Sequence, residues 1–317
     1  MEVIVVNDGG EPEICEFAMH GADGIEIQWI HLPRVEGPAS ARNHGAARAR
    51  GTYLAFLDDD CRPNPNWLKG MESALSSDQD CAAGGLLANA KGSGLYAAAS
   101  HAVLMTAYRH HNPDGGEATF FVTANLAVPA DRFREIGGFN PRLRASEDRE
   151  FCERWIWNGY CLVTAAGAVV EHDQQMTFPG FWKRHVLYGK GAYRFRKIKA
   201  ERTNTAIRLE PLAFYGALVT APFREGFHFW TLWISLLVVI SQVASTVGFL
   251  SEWRRARKKE TERSVDQRHW PRNETGATDP HKCCNYLWDD QRKDSSDKSC
   301  IVQGPPGWSG GSQSLRD

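Results

Sequence analysis

Leu54-Ala55-Phe56-Leu57-Asp58-Asp59-Asp60 is the stretch that decides the fold. Four residues, mostly apolar, form a short strand, and three carboxylates follow at once. Pro63 and Pro65 then prevent the strand from continuing. Consecutive carboxylates repel one another and lose solvation where a strand meets a sheet edge. A hard divalent cation shared with phosphate oxygens would relieve that cost. A solvated acidic turn fits the triplet equally well when it is taken alone.

Working outward, short apolar runs alternate with helical patterns up to about residue 175, the signature of an α/β domain. Val3–Val6 reads as a strand closed by the turn Asn7-Asp8-Gly9-Gly10. Further strands are expected at 25–30, 53–57, 82–87, 119–128 and 162–170. Helices are expected at 39–50, 67–75 and 147–157, the last with Ser146 as its N-cap. In open α/β sheets ligands gather at the carboxyl ends of the strands, where the triplet sits. Asp8 also ends a strand, so it can lie beside the triplet. Arg42 and Asn43, near a helix start, can meet a diphosphate through a guanidinium fork and helix amides.

The pieces Val3-Ile4-Val5-Val6-Asn7-Asp8-Gly9-Gly10, Ala41-Arg42-Asn43-His44-Gly45, Phe56 to Asp60 with Pro63 and Trp67-Leu68, Thr123-Ala124-Asn125, Ile136-Gly137-Gly138-Phe139-Asn140, and Glu147 to Arg154 with Gly159-Tyr160 occur in one order. In that order they resemble the family 2 glycosyltransferases, over roughly residues 2 to 200. The resemblance implies a GT-A fold: a Rossmann-like, nucleotide-sugar-binding mixed sheet with flanking helices. It implies a hexosyltransferase-like enzyme that moves a sugar from a nucleotide-sugar donor to a hydroxyl acceptor, with inversion. Asp8 then corresponds to the residue that reads the nucleoside base, and Arg42 to a base or diphosphate contact. Asp58 and Asp60 correspond to the DxD pair. The resemblance implies that Asp60 is the direct ligand of a divalent metal (Mg or Mn), with Asp58 or Asp59 nearer the ribose. Asp148 corresponds to the general base and His172 to a histidine holding metal or diphosphate. Gly137-Gly138-Phe139 forms a turn against donor or acceptor, and Glu147, beside Asp148, can raise the pKa of the latter.

The family ordinarily has a strand and helix before the piece matching Val3–Val6, and Asn7 stands where a second Asp is common. This leaves room for two other readings, an inactive nucleotide-sugar-binding remnant and a sugar-nucleotide nucleotidyltransferase.

The rest of the chain divides by composition. Residues 1–205 form the catalytic unit. Within it, Lys183, Arg184, Lys190, Arg194, Arg196, Lys197, Lys199 and Arg202 make a basic, aromatic zone suited to anionic headgroups or a lipid diphosphate. Residues 206–253 are expected to associate with a membrane, with a transmembrane helix over 227–250, and 254–317 to be a disordered tail. The eight cysteines show no CxxC pair, so reduced thiols are expected. No signal peptide is evident at the N-terminus. The net charge of −1 gives no global pull on nucleic acid. The expected partners are a nucleotide-sugar donor, a glycan or lipid-linked acceptor and a membrane, with the catalytic domain in the cytoplasm and a role in cell-surface glycan or glycolipid synthesis.

Overall fold

In a computed structural model, residues 1–9, 25–76, 80–90, 92–113 and 117–268 are described. Gly10 and the tail beyond Arg268 lie outside them.

The strands form two sheets. β1 (Glu2–Asn7) pairs in parallel with β2 (Glu26–His31), and their hydrogen bonds run from Glu2↔Glu26 to Asn7↔His31. The larger sheet has the order β3-β6-β5-β7-β4. Its strands are β3 (Tyr53–Phe56), β4 (Cys61–Pro63), β5 (Cys81–Asn89), β6 (Leu126–Pro129) and β7 (Cys161–His172). β5 and β7 are parallel and the other pairings are antiparallel, so the sheet is mixed. Helices α1 (Pro38–Arg48), α2 (Trp67–Leu75), α3 (Leu95–His111), α4 (Ala130–Glu135), α5 (Glu147–Trp157), α6 (Phe178–Thr203), α7 (Leu212–Thr220) and α8 (Phe229–Arg268) complete the chain. The expected α/β class, a GT-A-type mixed sheet with flanking helices followed by a C-terminal apolar helix, is the observed one.

The sheet centre is built from small residues. Ala82, Ala83 and Gly84 of β5 are buried, and a Cβ on Gly84 would lie 1.8 Å from the Phe121 ring. Phe121 therefore occupies space that any side chain at 84 would need. A register shift falls between Gly85 and Leu86 where β5 meets β7. Asn125 satisfies the backbone there: its Nδ2 donates to Leu86 O (2.8 Å) and Ala168 O (3.0 Å), and its Oδ1 accepts from Trp67 Nε1 (2.8 Å). Thr123-Ala124-Asn125 is thus a 3-10 turn, and the strand expected over 119–128 is confined to Leu126–Pro129.

Four other expectations are corrected. Cys81 and Cys161, neighbours in the β5–β7 register, form a disulfide, so not every thiol is reduced. Leu95–His111 is a helix that the sequence reading left unassigned. Ser146 is the N-cap residue of α5 as expected, but it makes no side-chain cap bond, and its backbone is left-handed, at φ 65°. Finally, α8 runs on to Arg268, so the tail expected from 254 begins with helix. Arg194–Glu252 (2.9 Å) and Lys197–Glu260 (2.5 Å) anchor that charged stretch to α6. Phe229–Glu262 is long and apolar enough to cross a membrane by length and composition.

Candidate active site

The triplet splits into three environments. β3 ends at Phe56, and the chain turns so that Cys61 N donates to Asp58 O (3.1 Å) before β4 begins. β4 runs antiparallel to β7 with Cys61 opposite His172, and Asp173 N donates to Asp60 O (2.8 Å). This register brings Asp60 to the end of β7, where its Oδ1 lies 3.0 Å from His172 Nε2. Burial alone would raise the Asp60 pKa. The hydrogen bond and charge of His172, helped by Arg184 and the Cys61 thiol, outweigh burial and hold it below its ordinary value.

Asp60, Cys61 and His172 are close enough together to share one cation. Cys61 is the member the sequence reading missed. Its thiol is pushed up to about 12, first by burial and then by Asp58 and Asp60, so it stays protonated and donates weakly to Asp60 Oδ1 (3.7 Å). An ionised carboxylate and an imidazole suit Mn²⁺ better than Mg²⁺, which favours oxygen, and a neutral thiol adds little. The residues present fit a divalent ion with positions left for diphosphate oxygens.

Asp58 turns to another partner, away from the group that Asp60 forms with Cys61 and His172. Its Oδ1 accepts from Arg42 Nη2 at 2.6 Å, while Arg42 Nη1 donates to Glu147 Oε1 at 2.8 Å. Burial disfavours the guanidinium charge, but Asp58 and Glu147 more than offset this and raise its pKa. Arg42 is therefore a bridge between the end of β3 and the start of α5. Asp59 is exposed.

Asp148 follows Glu147 at that start. Burial first, and Glu147 second, push its pKa up to about 7, against a hydrogen bond from Arg149 N (2.7 Å) and the charges of Arg42 and Arg149. Ser146 holds this corner in a conformation that non-glycine residues rarely adopt, as strained functional corners do.

The other residues expected at the site make contacts within the fold. Both Asp8 oxygens accept backbone amides, from Glu36 N (2.6 Å) and Gly37 N (2.7 Å), which fixes the entry to α1. Arg42 and Asn43 lie beyond the first turn of α1, away from its free amides. Asn43 instead clamps Phe139, donating to its O (2.8 Å) and accepting from its N (2.9 Å). Phe139 is fully buried among Phe56, Phe133 and Phe151, so it belongs to the core and not to a ligand surface. Gly137 and Gly138 both have positive φ, and a Cβ on Gly138 would meet Asn43 Oδ1 at 2.7 Å. Arg154 grips the same turn, donating to Ile136 O (2.5 Å) and Gly138 O (2.6 Å). Glu147 is buried against Arg42.

α6 adds two groups that the sequence reading had not placed at the site. The charge of Arg184 acts on Asp60, and Tyr188, one turn later, feels Asp148, Glu147 and Asp58. A periodicity of four in α6 was the available signal.

Glycosyl transferase family 2 matches residues 1–137. A pre-mycofactocin glycosyltransferase of Mycobacterium tuberculosis is 30% identical over 199 residues, covering 61% of this chain and 42% of the relative. Glycosyltransferase AglE of Haloferax volcanii is 28% identical over 193 residues, covering 60% of this chain and 62% of the relative. The match thus spans less than two thirds of either relative. A mannosyltransferase of Pyrobaculum calidifontis, solved with GDP-Man and Mn²⁺, superposes with TM-score 0.47 at 16% identity, covering 77% of this chain and 66% of that one. The motifs in order, the mixed α/β sheet that carries them and the match over residues 1–137 are those of glycosyl transferase family 2.

Proposed function

We propose that this protein transfers a sugar, with inversion, from a nucleotide-sugar donor to a hydroxyl on a glycan or lipid-linked acceptor. The observation that carries this reading is the separation of two carboxylates into opposite states. Asp60 is held ionised beside His172, while Asp148 has its pKa raised to about 7. Pairs of carboxylates pushed apart in this way divide an ion-binding role from a proton-transfer role.

Asp60 and His172 are the residues that would hold the divalent ion, and such an ion, when bound, neutralises charge on the departing diphosphate. Asp148, ionised above its pKa, accepts the proton of the acceptor hydroxyl. The acceptor oxygen bonds to the anomeric carbon from one face. The bond from that carbon to the diphosphate oxygen breaks on the other face, and its electron pair leaves with the nucleoside diphosphate. Arg42 holds Asp58 and Glu147 in place, and Asp59, exposed beside them, is the carboxylate available to a ribose. Asp8 can meet a nucleoside base only with lone pairs that its two amide contacts leave over.

The exposed apolar surface of α8 supports attachment to a membrane, with the catalytic unit on the cytoplasmic side, where nucleotide sugars are made. The test is donor turnover with Mn²⁺ and an array of lipid-linked and free sugar acceptors, with products identified by mass. Transfer that is equal in the native chain and in Asp60→Ala would overturn the metal role. Release of pyrophosphate instead of nucleoside diphosphate would point to a nucleotidyltransferase.

A further inference from the structure

α8 has two unlike faces. Thr231, Ser235, Val238, Ser241, Ala244 and Gly248 recur at spacings of three and four and are buried. Leu232, Leu236, Val239, Val243, Val247 and Leu250 recur with the same period and are exposed. Phe229, Trp230 and Trp233 crowd the N-terminal end of this outer stripe. Arg254 and Lys258 continue the outer stripe beyond Leu250 at spacings of four and give that end an exposed positive charge. No Asp, Glu, Lys or Arg interrupts residues 226–251.

The inner face is bound along its length. Ser235 Oγ donates to Val219 O (2.7 Å), and Leu237 and Val238 pack with Ala99, Phe181 and Leu218. Ser245 Oγ donates to His185 O (3.2 Å), Tyr193 and Phe249 stack edge to face at 5.3 Å, and Arg194 pairs with Glu252. α6 and α8 therefore run side by side in the same direction.

A helix crossing the hydrocarbon needs about 20 residues along the bilayer normal. If α8 did so from Phe229 in this packing, the α6 segment beside it would enter too, with Lys183, Arg184 and Lys190. Those are costly groups to place in hydrocarbon, and Arg184 also serves Asp60. Lying flat removes the conflict. A continuous apolar stripe flanked by aromatics and cations is the pattern of an in-plane interfacial helix.

We propose that α8 lies in the plane of an anionic membrane surface, with its outer stripe immersed in one leaflet, and does not cross the bilayer. This rests on the membrane attachment proposed above and not on the transfer chemistry. The partner is the negatively charged headgroup layer, which Arg254 and Lys258 complement. α6 then stands between that layer's helix and the carboxylate site, so an acceptor anchored in the same leaflet need not leave it.

The test uses the full chain and preformed vesicles. The native protein should float with equimolar phosphatidylglycerol and phosphatidylcholine, and at least about ten-fold less with phosphatidylcholine alone or in high salt. Arg254→Gln with Lys258→Gln should weaken flotation by roughly thirty-fold. Depth is read in Val239→Trp, with Leu236→Trp as a second outer-face reporter in case the first fails to fold. Brominated lipids carrying bromine near the headgroup end of the acyl chains should quench either reporter more than lipids brominated near the chain ends. Stronger quenching from the chain ends would mean a spanning helix, which overturns the in-plane arrangement and keeps the membrane. No flotation of the native chain on either vesicle would overturn membrane attachment as well.

Discussion

Asp58 and Asp60 are the same residue type, two positions apart and both half-buried, yet the fold treats them as opposites. Asp58 meets a guanidinium that is itself tied to Glu147. Asp60 meets an imidazole beside a protonated thiol. The first partner is a permanent cation with a fork of donors, so Asp58 is held in a closed structural bridge. The second can give up its proton, so His172 and Asp60 can both turn toward an ion. The difference comes from strand direction: β3 points Asp58 toward α1, and the turn into β4 carries Asp60 to the end of β7.

The strongest way to break this contrast is Asp60→Ala. Transfer should fall by about 10³-fold, roughly 4 kcal/mol of barrier, and Mn²⁺ titration should show weaker binding. Asp148→Asn should lower kcat by about 10²- to 10³-fold while donor affinity, measured by calorimetry, stays near the native value. The same substitution tests the pH behaviour. Native transfer should climb as pH rises through about 7, because the base must be ionised, and the residual activity of the variant should not. The raised pKa means that the folded state favours protonated Asp148. Its contribution to stability is present below the ordinary carboxylate pKa and is lost as pH rises through about 7. Asp148→Asn should therefore be more stable than the native chain in alkaline denaturant melts.

Arg42→Ala attacks the closed side. It leaves Glu147 buried without its cation, which should cost about 3–5 kcal/mol in urea unfolding. Cys81→Ala should cost roughly 2–4 kcal/mol under oxidising conditions and nothing once the native chain is reduced, because the disulfide closes a loop of 80 residues. Asp59→Ala should change Mn²⁺ affinity least, by about two-fold or less, since an exposed carboxylate near an ion adds little. A large effect there would erase the distinction between the neighbours.

The fold was legible wherever one residue pattern answered one physical need. Apolar runs ended by acids or turn residues located β1, β3 and β7, and His172 was placed beside Asp60 because the resemblance put both at strand ends. Partnership was less legible. Nothing local says that Arg42 reaches Asp58 and Glu147 at once, since 105 residues separate it from Glu147. Asn43 reads as a phosphate contact because it lies near a predicted helix start, but in the fold its side chain is occupied by the backbone of Phe139. The Cys81–Cys161 bond has no spacing motif because it depends on two strands coming into register. Leu95–His111 escaped because its Ala-rich turns give little contrast between faces. The helix beyond 254 escaped because its charges look solvated until α6 supplies Arg194 and Lys197.

Where α6 and α8 touch, almost nothing lies between their backbones. A Cβ on Gly189 would sit 1.9 Å from Ser245 O, and one on Gly248 would sit 2.0 Å from Val186 O. Packed helices usually shift by small slides cushioned by side chains. This pair has no such cushion at its crossing, so the two helices move as one beam. Arg184 is mounted on that beam. A tilt of α8 would therefore carry Arg184, whose charge acts on Asp60, along with it.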